Sequence, residues 1–337
     1  MKQSAILLLS LLLFAVPLAA DWMPVAPGVD YQDYSKDGRA IYVTRVDLDN
    51  ENVQVVGTRE SDKGTTVSQY AQRNNALVAI NGDYFDENRF PIGLTVGPCG
   101  RWDGTKDTGR EAVLFVDEGA AEIRHQSDVI DDPEELDFAV SGWPMLVRDC
   151  KALSAAQLPG SDKFTRAPHP RTAVAVTKDG KTLYLIVSDG RIKGAAGLTL
   201  AQIATFIADE LGACAAMNLD GGGSSAMWVA GCIVNTPSDK RERRVANHVG
   251  VVLTSDLVAC DAKEAPKPTY VAQCPRVMKE EQVTPAASTP ASTPSVAPAA
   301  APPSTTPAAP AAAPAVKPEP TLPPSAPPAP RPAAKHP

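Results

Sequence analysis

The sequence lacks the short motifs that mark common hydrolases and nucleotide-binding proteins. It has no G-x-S-x-G elbow, Walker loop, H-E-x-x-H pair or dinucleotide-binding glycine fingerprint after a strand. Histidine is scarce, with 4 in 337 residues, which argues against a multi-histidine metal site. Basic residues form no stripe interleaved with aromatics, and acidic residues outnumber them 39 to 32. Nucleic acid is therefore a poor candidate partner.

Long apolar runs are absent beyond the first twenty residues. Those residues, MKQSAILLLSLLLFAVPLAA, combine an early lysine, an apolar stretch and a small-residue end, which predicts a secretory signal peptide cleaved near Ala20. An uncleaved membrane anchor is the alternative, because Leu18 is not the small residue that a cleavage site prefers. No later run is long enough to span a bilayer. We therefore expect a secreted or periplasmic protein with no stable membrane span after cleavage.

Cysteine occurs only after this segment, and its even number permits three disulfides in an exported chain. No two cysteines have zinc-ribbon spacing. The sequence alone does not choose among the pairings, although the short separation of Cys260 and Cys274 favours that pair. The six residues are Cys99, Cys150, Cys214, Cys232, Cys260 and Cys274.

Composition divides the rest of the chain into one domain and a tail. Residues 279–337 are rich in proline and alanine, which predicts a disordered, polyproline-like tail that serves as a spacer or solubilising segment. Docking to a proline-reading partner is a less favoured role for it. Residues 21–278 contain no internal repeat or evident linker, so they are predicted to form a single domain.

Short apolar runs bounded by turn residues predict many strands. Helix signals are fewer: VSQYAQRNN predicts one helix that ends near Asn75, and a second begins at Thr199. There Thr199 and Gln202 have capping-box spacing, and Gly212 is placed to end the helix. These patterns predict an α+β fold with a mixed, strongly twisted sheet core, few helices and strand ends framing one cleft. The predicted strands are IYVTRVDL, VQVVGT, LVAI, AVLFV, TAVAV, LYLIVS, CAAMNL and HVGVVL.

The segment NLDGGGSSAM, residues 218–227, follows one of these strands. Side chains at i and i+2 of a strand share a face, so Asn218 and Asp220 are predicted to point together. The glycines then allow the backbone amides to form a nest for an anion. A hairpin turn with a capping aspartate is an equally simple interpretation.

Four other strand ends carry polar residues in the same manner. They lie in the segments NGDYFD, PHPRT, VSDGR and RRVANH, and strand ends of one sheet can converge on a cleft. The basic cluster DKRERR, residues 239–244, instead predicts a solvated loop.

Together these stretches resemble the phosphodiester glycosidase family. NGDYF, SGWPMLV, HPRTAVAV, the helix–strand unit that ends in NLDGGGSSAM, and RRVANHVGV occur in the expected order over most of residues 40–254. The run D-G-G-G-S combined with the upstream R-T-A is the specific part of the signal. The resemblance implies a glycosidase that cleaves the C1–O bond of a sugar-1-phosphodiester and releases a sugar and a phosphomonoester.

A phosphate leaves as a stabilised anion, so such a site needs cationic and amide donors more than a strong general acid. Asp220 is the first candidate for the base or nucleophile, with Asp189 and His248 as further candidates. No cofactor is required, and no metal site is predicted, although Asp220 and Asn218 are the kind of ligands that calcium accepts. The residues predicted to bind phosphate or sugar are Arg171, Arg244, Asn81, Asn218, Gly221, Gly222, Gly223, Ser224 and Ser225.

Structural roles remain open for the three catalytic candidates. Asp220 would cap the turn, Asp189 would pair with Arg191, and His248 would be a satisfied core residue. Two other functions also fit the sequence: a non-catalytic envelope module that binds anionic glycans, and a glycosidase of uncharged exopolysaccharide.

Overall fold

Strands account for most of the regular structure in the computed structural model, which describes residues 22–109, 111–125, 136–262, 264–271 and 273–275. These residues belong to one compact unit. The predicted signal peptide and proline-rich tail lie outside the described residues. Across the described part of the chain, no helix has the length and apolar character needed to cross a bilayer.

The predicted strand-rich α+β class is confirmed, and each predicted apolar run contains a strand. The helices are α1 (Val67–Arg73), α2 (Asp162–Thr165) and α3 (Leu200–Asp209). The strands are β1 (Met23–Ala26), β2 (Val29–Asp33), β3 (Ile41–Asp47), β4 (Val53–Val56), β5 (Val78–Asn81), β6 (Thr95–Gly97), β7 (Gly100–Arg101), β8 (Ala112–Asp117), β9 (Ala120–Arg124), β10 (Phe138–Gly142), β11 (Met145–Arg148), β12 (Lys151–Ala152), β13 (Arg171–Val176), β14 (Thr182–Ser188), β15 (Ala215–Asn218), β16 (Met227–Val229), β17 (Cys232–Ile233) and β18 (His248–Leu253).

These strands form three sheets. An eight-stranded sheet has the order β1-β2-β3-β14-β13-β15-β11-β12, and two five-stranded sheets have the orders β7-β6-β10-β8-β9 and β17-β16-β5-β18-β4. The prediction of a mixed sheet is wrong for the described strands, because the strand neighbours pair antiparallel in all three sheets.

The eight-stranded sheet is the central layer. Along β13, Val174 and Val176 belong to the core shared with the five-stranded sheets, while Ala173 and Ala175 belong to the core beneath α3. This alternation explains why β13 is buried along its whole length and reads as a continuous apolar run.

Helix α3 begins where the sequence predicts and ends at Asp209, three residues before Gly212, with Glu210 as its C-cap. Thr199 and Gln202 form the reciprocal capping box, and Leu200, Ile203 and Ile207 are buried on the inner face. The strands β14 and β15 on either side of this helix both pair antiparallel with β13, so they run in the same direction. The predicted α/β crossover therefore spans β13 and does not join neighbouring strands.

Three disulfides are formed, but the favoured pair is wrong. Cys260 pairs with Cys99 and Cys274 pairs with Cys232, while Cys150 pairs with Cys214. The pairing follows three-dimensional proximity across separations of 161, 42 and 64 residues, which short sequence spacing does not reveal. Three disulfides are typical of proteins that fold in an oxidising compartment.

Candidate active site

The central strands β13, β14 and β15 have ends that lie together at one end of the eight-stranded sheet. Arg171, the first residue of β13, pairs with Ser188, the last residue of β14. Asn218, the last residue of β15, pairs with Ala173. The segments VSDGR and NLDGGGSSAM therefore leave the sheet beside the segment PHPRT that enters it, as the sequence predicts.

The glycine turn at residues 221–223 connects two sheets. Strand β15 lies in the eight-stranded sheet and β16 lies in the sheet that contains β5 and β18, so the chain crosses between layers here. A methyl group on Gly221 would lie 2.9 Å from the Pro170 carbonyl oxygen, and Gly222 has a φ of +62°. Glycine is required at these two positions by close backbone approach and by a left-handed conformation, respectively.

Asn81 fixes the start of this turn from the neighbouring sheet. Its Nδ2 donates to the Asp220 carbonyl over 2.6 Å, and its Oδ1 accepts from the Thr172 hydroxyl over 2.9 Å. The side chain is fully buried. Asn81 therefore positions the two sheets relative to each other, and its side chain is not available for the predicted contact with a sugar.

The glycine turn borders a hollow of about 430 Å³. Arg171, Arg191 and Arg243 contribute three guanidinium groups to its wall, and Asp220 contributes a carboxyl group. Its remaining lining residues are Tyr84, Ser161, Lys163, Phe164, His169, Pro170, Gly221, Gly222 and Gly223. The hollow is thus rich in positive charge and open to an anionic ligand.

Asp220 is held in an environment that favours its neutral form. Burial raises the pKa of Asp220, while a hydrogen bond from the Ser224 side chain, the charge of Arg243 and the Gly221 amide oppose this shift. A carboxyl group with a raised pKa beside a hollow is a candidate general base.

Only part of the predicted amide nest is available to a ligand. The Gly222 amide donates to the Pro170 carbonyl over 3.0 Å, and the Gly221 amide hydrogen-bonds the Asp220 carboxyl group. The prediction that Gly221, Gly222 and Gly223 together cradle an anion is therefore wrong in its full form, because two of the three amides already have partners.

Arg171 lines the hollow but is largely committed to the protein. Its Nε donates to the Leu198 carbonyl over 2.9 Å, and its Nη2 donates to the carbonyls of Phe164 and Ala167 over 2.6 and 3.2 Å. Among the described residues, none accepts a hydrogen bond from Nη1. Burial lowers the pKa of Arg171 to about 10, so the group stays charged at neutral pH.

Arg191 is a site residue that the sequence did not single out for phosphate. A methyl group on Gly222 would lie 3.1 Å from its Nη1, which places the guanidinium against the turn. Its Nε and Nη2 lie 3.3 and 3.0 Å from His169 Nδ1. Because Nδ1 accepts these hydrogen bonds, the His169 proton lies on Nε2, which is 2.6 Å from the Lys163 carbonyl. Burial also lowers the pKa of His169, which further favours its neutral form.

Arg243, and not Arg244, reaches the glycine turn. Arg243 Nη1 donates to Ser224 Oγ over 3.3 Å and its Nη2 pairs with Asp239 over 2.7 Å. Arg244 lines a neighbouring hollow and donates to the Gly64 carbonyl. The two arginines are adjacent in sequence, and the position of the RRVANH segment before the last strand does not distinguish which of them turns inward.

Asn218 and Ser225 are buried beside the hollow without lining it. Asn218 Nδ2 donates to the Tyr84 hydroxyl over 2.6 Å, and that hydroxyl donates to the Trp143 carbonyl over 2.9 Å. Ser225 Oγ lies 3.1 Å from the Thr172 hydroxyl. Tyr84 is the member of this group that lines the hollow, and its position inside NGDYF was the available signal.

The two other catalytic candidates have structural positions. Asp189 accepts hydrogen bonds from Asn235 Nδ2, the Thr236 amide and the Tyr42 hydroxyl over 3.1, 2.8 and 3.1 Å. His248 stacks on Tyr70 with ring centroids 4.5 Å apart and lies 3.0 Å from the Thr58 hydroxyl. Burial lowers the pKa of His248 to about 3. Neither residue lines the hollow. The core alternative therefore describes the position of His248, whereas the alternative for Asp189, a pair with Arg191, stays a prediction.

Asp83 is a buried carboxyl group close to this region. It is 1% exposed, and its Oδ2 accepts from the Gly93 amide over 2.9 Å. Burial raises the pKa of Asp83 well above its usual range, and the negative charges of Glu111 and Asp220 add to the effect. In the folded protein at neutral pH, the Asp83 carboxyl group is therefore either protonated or carries its charge in a buried environment.

Replacing Asp83 with asparagine should remove a pH dependence of stability. A carboxyl group whose folded pKa is raised stabilises the fold below its unfolded pKa, and this stabilisation is lost as pH rises toward the folded pKa. Over that interval the wild type should lose about 1.4 kcal/mol per pH unit relative to the Asp83→Asn variant. Urea unfolding between pH 4 and 8 measures the difference. Asp103→Asn, at an exposed site, is the control, and a constant Asp83→Asn difference across this range would contradict the prediction.

No group of three or more His, Cys, Asp or Glu side chains within the described ranges is placed to hold a metal ion. Calcium binding by Asp220 and Asn218 stays an untested alternative.

The ends of antiparallel strands thus border a basic hollow that contains one half-buried carboxyl group, Asp220. The family model described as phosphodiester glycosidase matches residues 74–252, just over half of the chain. The protein belongs to the phosphodiester glycosidase family. The matched range contains Asp220, the glycine turn and all three arginines of the hollow.

Two relatives extend this comparison. The chain is 32% identical over 199 residues to the SPbeta prophage-derived uncharacterized protein YomE of Bacillus subtilis (strain 168). That match covers 57% of this chain and 30% of the relative, so it spans less than a third of YomE. The catalytic domain of zebrafish N-acetylglucosamine-1-phosphodiester alpha-N-acetylglucosaminidase, auto-inhibited by its pro-peptide, is 22% identical with a TM-score of 0.54. The similarity covers 69% of this chain and 86% of the zebrafish domain, and it concerns the fold.

Proposed function

We propose that this protein is an exported hydrolase that cleaves the C1–O bond of a sugar-1-phosphodiester and releases a sugar and a phosphomonoester. The observation that carries the proposal is the hollow in which Asp220 lies among Arg171, Arg191 and Arg243, at the glycine turn. A single carboxyl group among several cations suits a reaction that ends with an anionic leaving group. The three disulfides support export.

The arginines would receive the phosphate. Arg191 lies beside Gly222 and Arg243 lies beside Gly223, and each guanidinium keeps N–H groups that can donate to phosphate oxygens. Arg171 contributes charge and its Nη1 atom, because its other donors hold the surrounding loops. Their combined charge stabilises the phosphomonoester as the glycosidic bond breaks, so little general-acid assistance is needed.

Asp220 would act on the anomeric carbon. As a general base it takes a proton from water while the water oxygen bonds to C1 and the C1–O electron pair leaves with the phosphate. As a nucleophile its carboxylate bonds to C1 first, and water then releases the sugar in a second step. Burial raises the pKa of Asp220, which favours the base. The Tyr84 hydroxyl lines the same hollow, and its remaining lone pair can accept a hydrogen bond from a sugar hydroxyl, while the neutral His169 holds Arg191 in place.

The reaction is tested by isotope placement. The purified chain is incubated in ¹⁸O-labelled water with the methyl phosphodiester of N-acetylglucosamine-1-phosphate. C1–O cleavage places the label in the sugar, and the methyl phosphate keeps its original oxygens. Label in the phosphate would instead mean P–O cleavage and would refute the proposed reaction. Mass spectrometry of both products distinguishes these results.

Two controls separate the alternative functions. The methyl glycoside of the same sugar lacks phosphate, so its hydrolysis at a comparable rate would favour an ordinary exopolysaccharide glycosidase. Calorimetry with the phosphodiester detects binding, and tight binding without any turnover would favour a receptor module.

A further inference from the structure

A second basic hollow adjoins the candidate active site. It has a volume of about 450 Å³, and its walls include Arg89, Arg241, Arg243 and Arg244. The last three belong to the DKRERR segment, which the sequence predicts to be a solvated loop. Arg89 comes from a separate segment that follows NGDYF, so the fold gathers positive charge from two distant parts of the chain.

The acidic residues of this hollow already have partners. Asp239 pairs with Arg243 over 2.7 Å. Glu242 accepts from the Ser68 amide over 2.8 Å and from the Ser68 hydroxyl over 2.5 Å. These contacts hold the arginine-bearing segment against the start of α1, so the segment is anchored.

Three arginines of this hollow have no ion-pair partner among the described residues: Arg89, Arg241 and Arg244. All three are exposed, and Arg244 donates only to the Gly64 carbonyl over 3.3 Å. These three arginines outnumber Glu242, whose described partner is the uncharged Ser68, so the hollow keeps a net positive potential that attracts an anion.

Arg243 connects this second hollow to the first. It lines both of them, and a methyl group on Gly223 would lie 2.2 Å from both Arg243 Nη2 and Asp239 Oδ2. The Arg243–Asp239 pair therefore lies directly on the glycine turn, between the two hollows. A ligand whose phosphate contacts Arg243 can extend into the second hollow without leaving the protein surface.

We infer that the second hollow binds a further anionic group of the same substrate, on the leaving-group side of the scissile phosphodiester. This inference rests on the proposed function. In the reaction above, the sugar lies toward Asp220 and the phosphate lies toward Arg243. The group beyond the phosphate is then the alcohol part of the diester. The substrate class is a glycosyl phosphodiester whose alcohol carries another phosphate or carboxylate, as in an anionic glycan with charged repeats.

Matched substrates test the inference. Three diesters of the same sugar-1-phosphate are compared, with glycerol, glycerol 3-phosphate and glyceric acid as the alcohol. Wild-type kcat/KM should be about tenfold or more higher for the charged alcohols than for glycerol. The advantage should lie mainly in KM and should decrease with added salt. Comparison of the glycerol 3-phosphate diester with the glyceric acid diester shows whether the second hollow prefers a phosphate or a carboxylate.

A double variant locates the effect. Arg89→Gln/Arg241→Gln should lower kcat/KM about tenfold for the preferred charged substrate and less than about twofold for the glycerol diester. Arg148→Gln/Lys178→Gln removes equal charge from a different hollow and should preserve the preference. Thermal unfolding verifies that each variant folds, and Arg241→Gln alone is the substitute if the double variant does not.

These measurements distinguish failure of the inference from failure of the proposed function. Turnover of the glycerol diester without preference for charge, or an equal loss in both double variants, would overturn the inference and leave the proposed function intact. Absence of turnover for all three diesters would overturn the proposed function. The inference is then decided by calorimetry, where the wild type should bind the glycerol 3-phosphate diester more tightly than the glycerol diester. Equal affinities would overturn it.

Discussion

Asp220→Asn should lower kcat for a sugar-1-phosphodiester by about 10²-fold or more. The substitution keeps the size of the side chain and removes the group that would take the proton or attack C1. Steady-state kinetics with the methyl phosphodiester measure the loss. Asp162→Asn is a matched control, because Asp162 is an exposed carboxyl group between two residues that line the same hollow, Ser161 and Lys163. Wild-type rates in Asp220→Asn would exclude Asp220 from the reaction.

The pH dependence of the activity is a second test of the role of Asp220. A base must be deprotonated, so wild-type activity should fall as pH decreases through the pKa of Asp220. Burial raises that pKa, and the acid limb should therefore lie at a higher pH than for an ordinary aspartate. Residual Asp220→Asn activity should lack this limb.

Arg171→Met should reduce the free energy of unfolding by about 3 kcal/mol or more. Arg171 is 2% exposed and its guanidinium donates to three carbonyl oxygens, so its removal leaves buried and half-buried acceptors without partners. The affected loops are the segment around α2 and the one before α3, because the acceptors are Phe164, Ala167 and Leu198. Urea unfolding at pH 7 measures the change.

Arg191→Gln is the matched comparison for Arg171→Met. Arg191 is exposed and contacts His169 by side chain, so its replacement should cost little stability while lowering kcat/KM for the phosphodiester by about tenfold. A purely catalytic Arg171 would show the opposite pattern, with unchanged unfolding and lost activity. That outcome would contradict the structural role inferred from its carbonyl partners.

The sequence predicts the elements of this fold better than their arrangement. The capping box of α3 and the apolar run of β13 are local signals, so both were predictable. The short strands β1 and β6 were missed, because Pro24 and the glycine-rich surroundings of β6 obscure alternation. The separation of β5 and β13 into different sheets depends on long-range packing that no local pattern contains.

The candidate site was predictable in outline for the same reason. The segment NLDGGGSSAM located Asp220 and the turn, since glycine is required there by the backbone. It did not reveal that Pro170 takes the Gly222 amide, nor that Arg243 and not Arg244 contacts Ser224. Asp189 and His248 lie at strand ends like the others, but their side chains contact other parts of the domain and do not line the hollow, which no local pattern reveals.

The glycine turn joins two sheets, so a compound bound at the turn affects both of them. A compound seated at the turn touches residues covalently attached to both β15 and β16, so it opposes any sliding of one layer over the other. Binding energy at this position is thereby added to the cohesion of the whole domain. Thermal-shift screening would detect such compounds, since a ligand that binds only the folded domain raises its melting temperature according to its affinity and concentration.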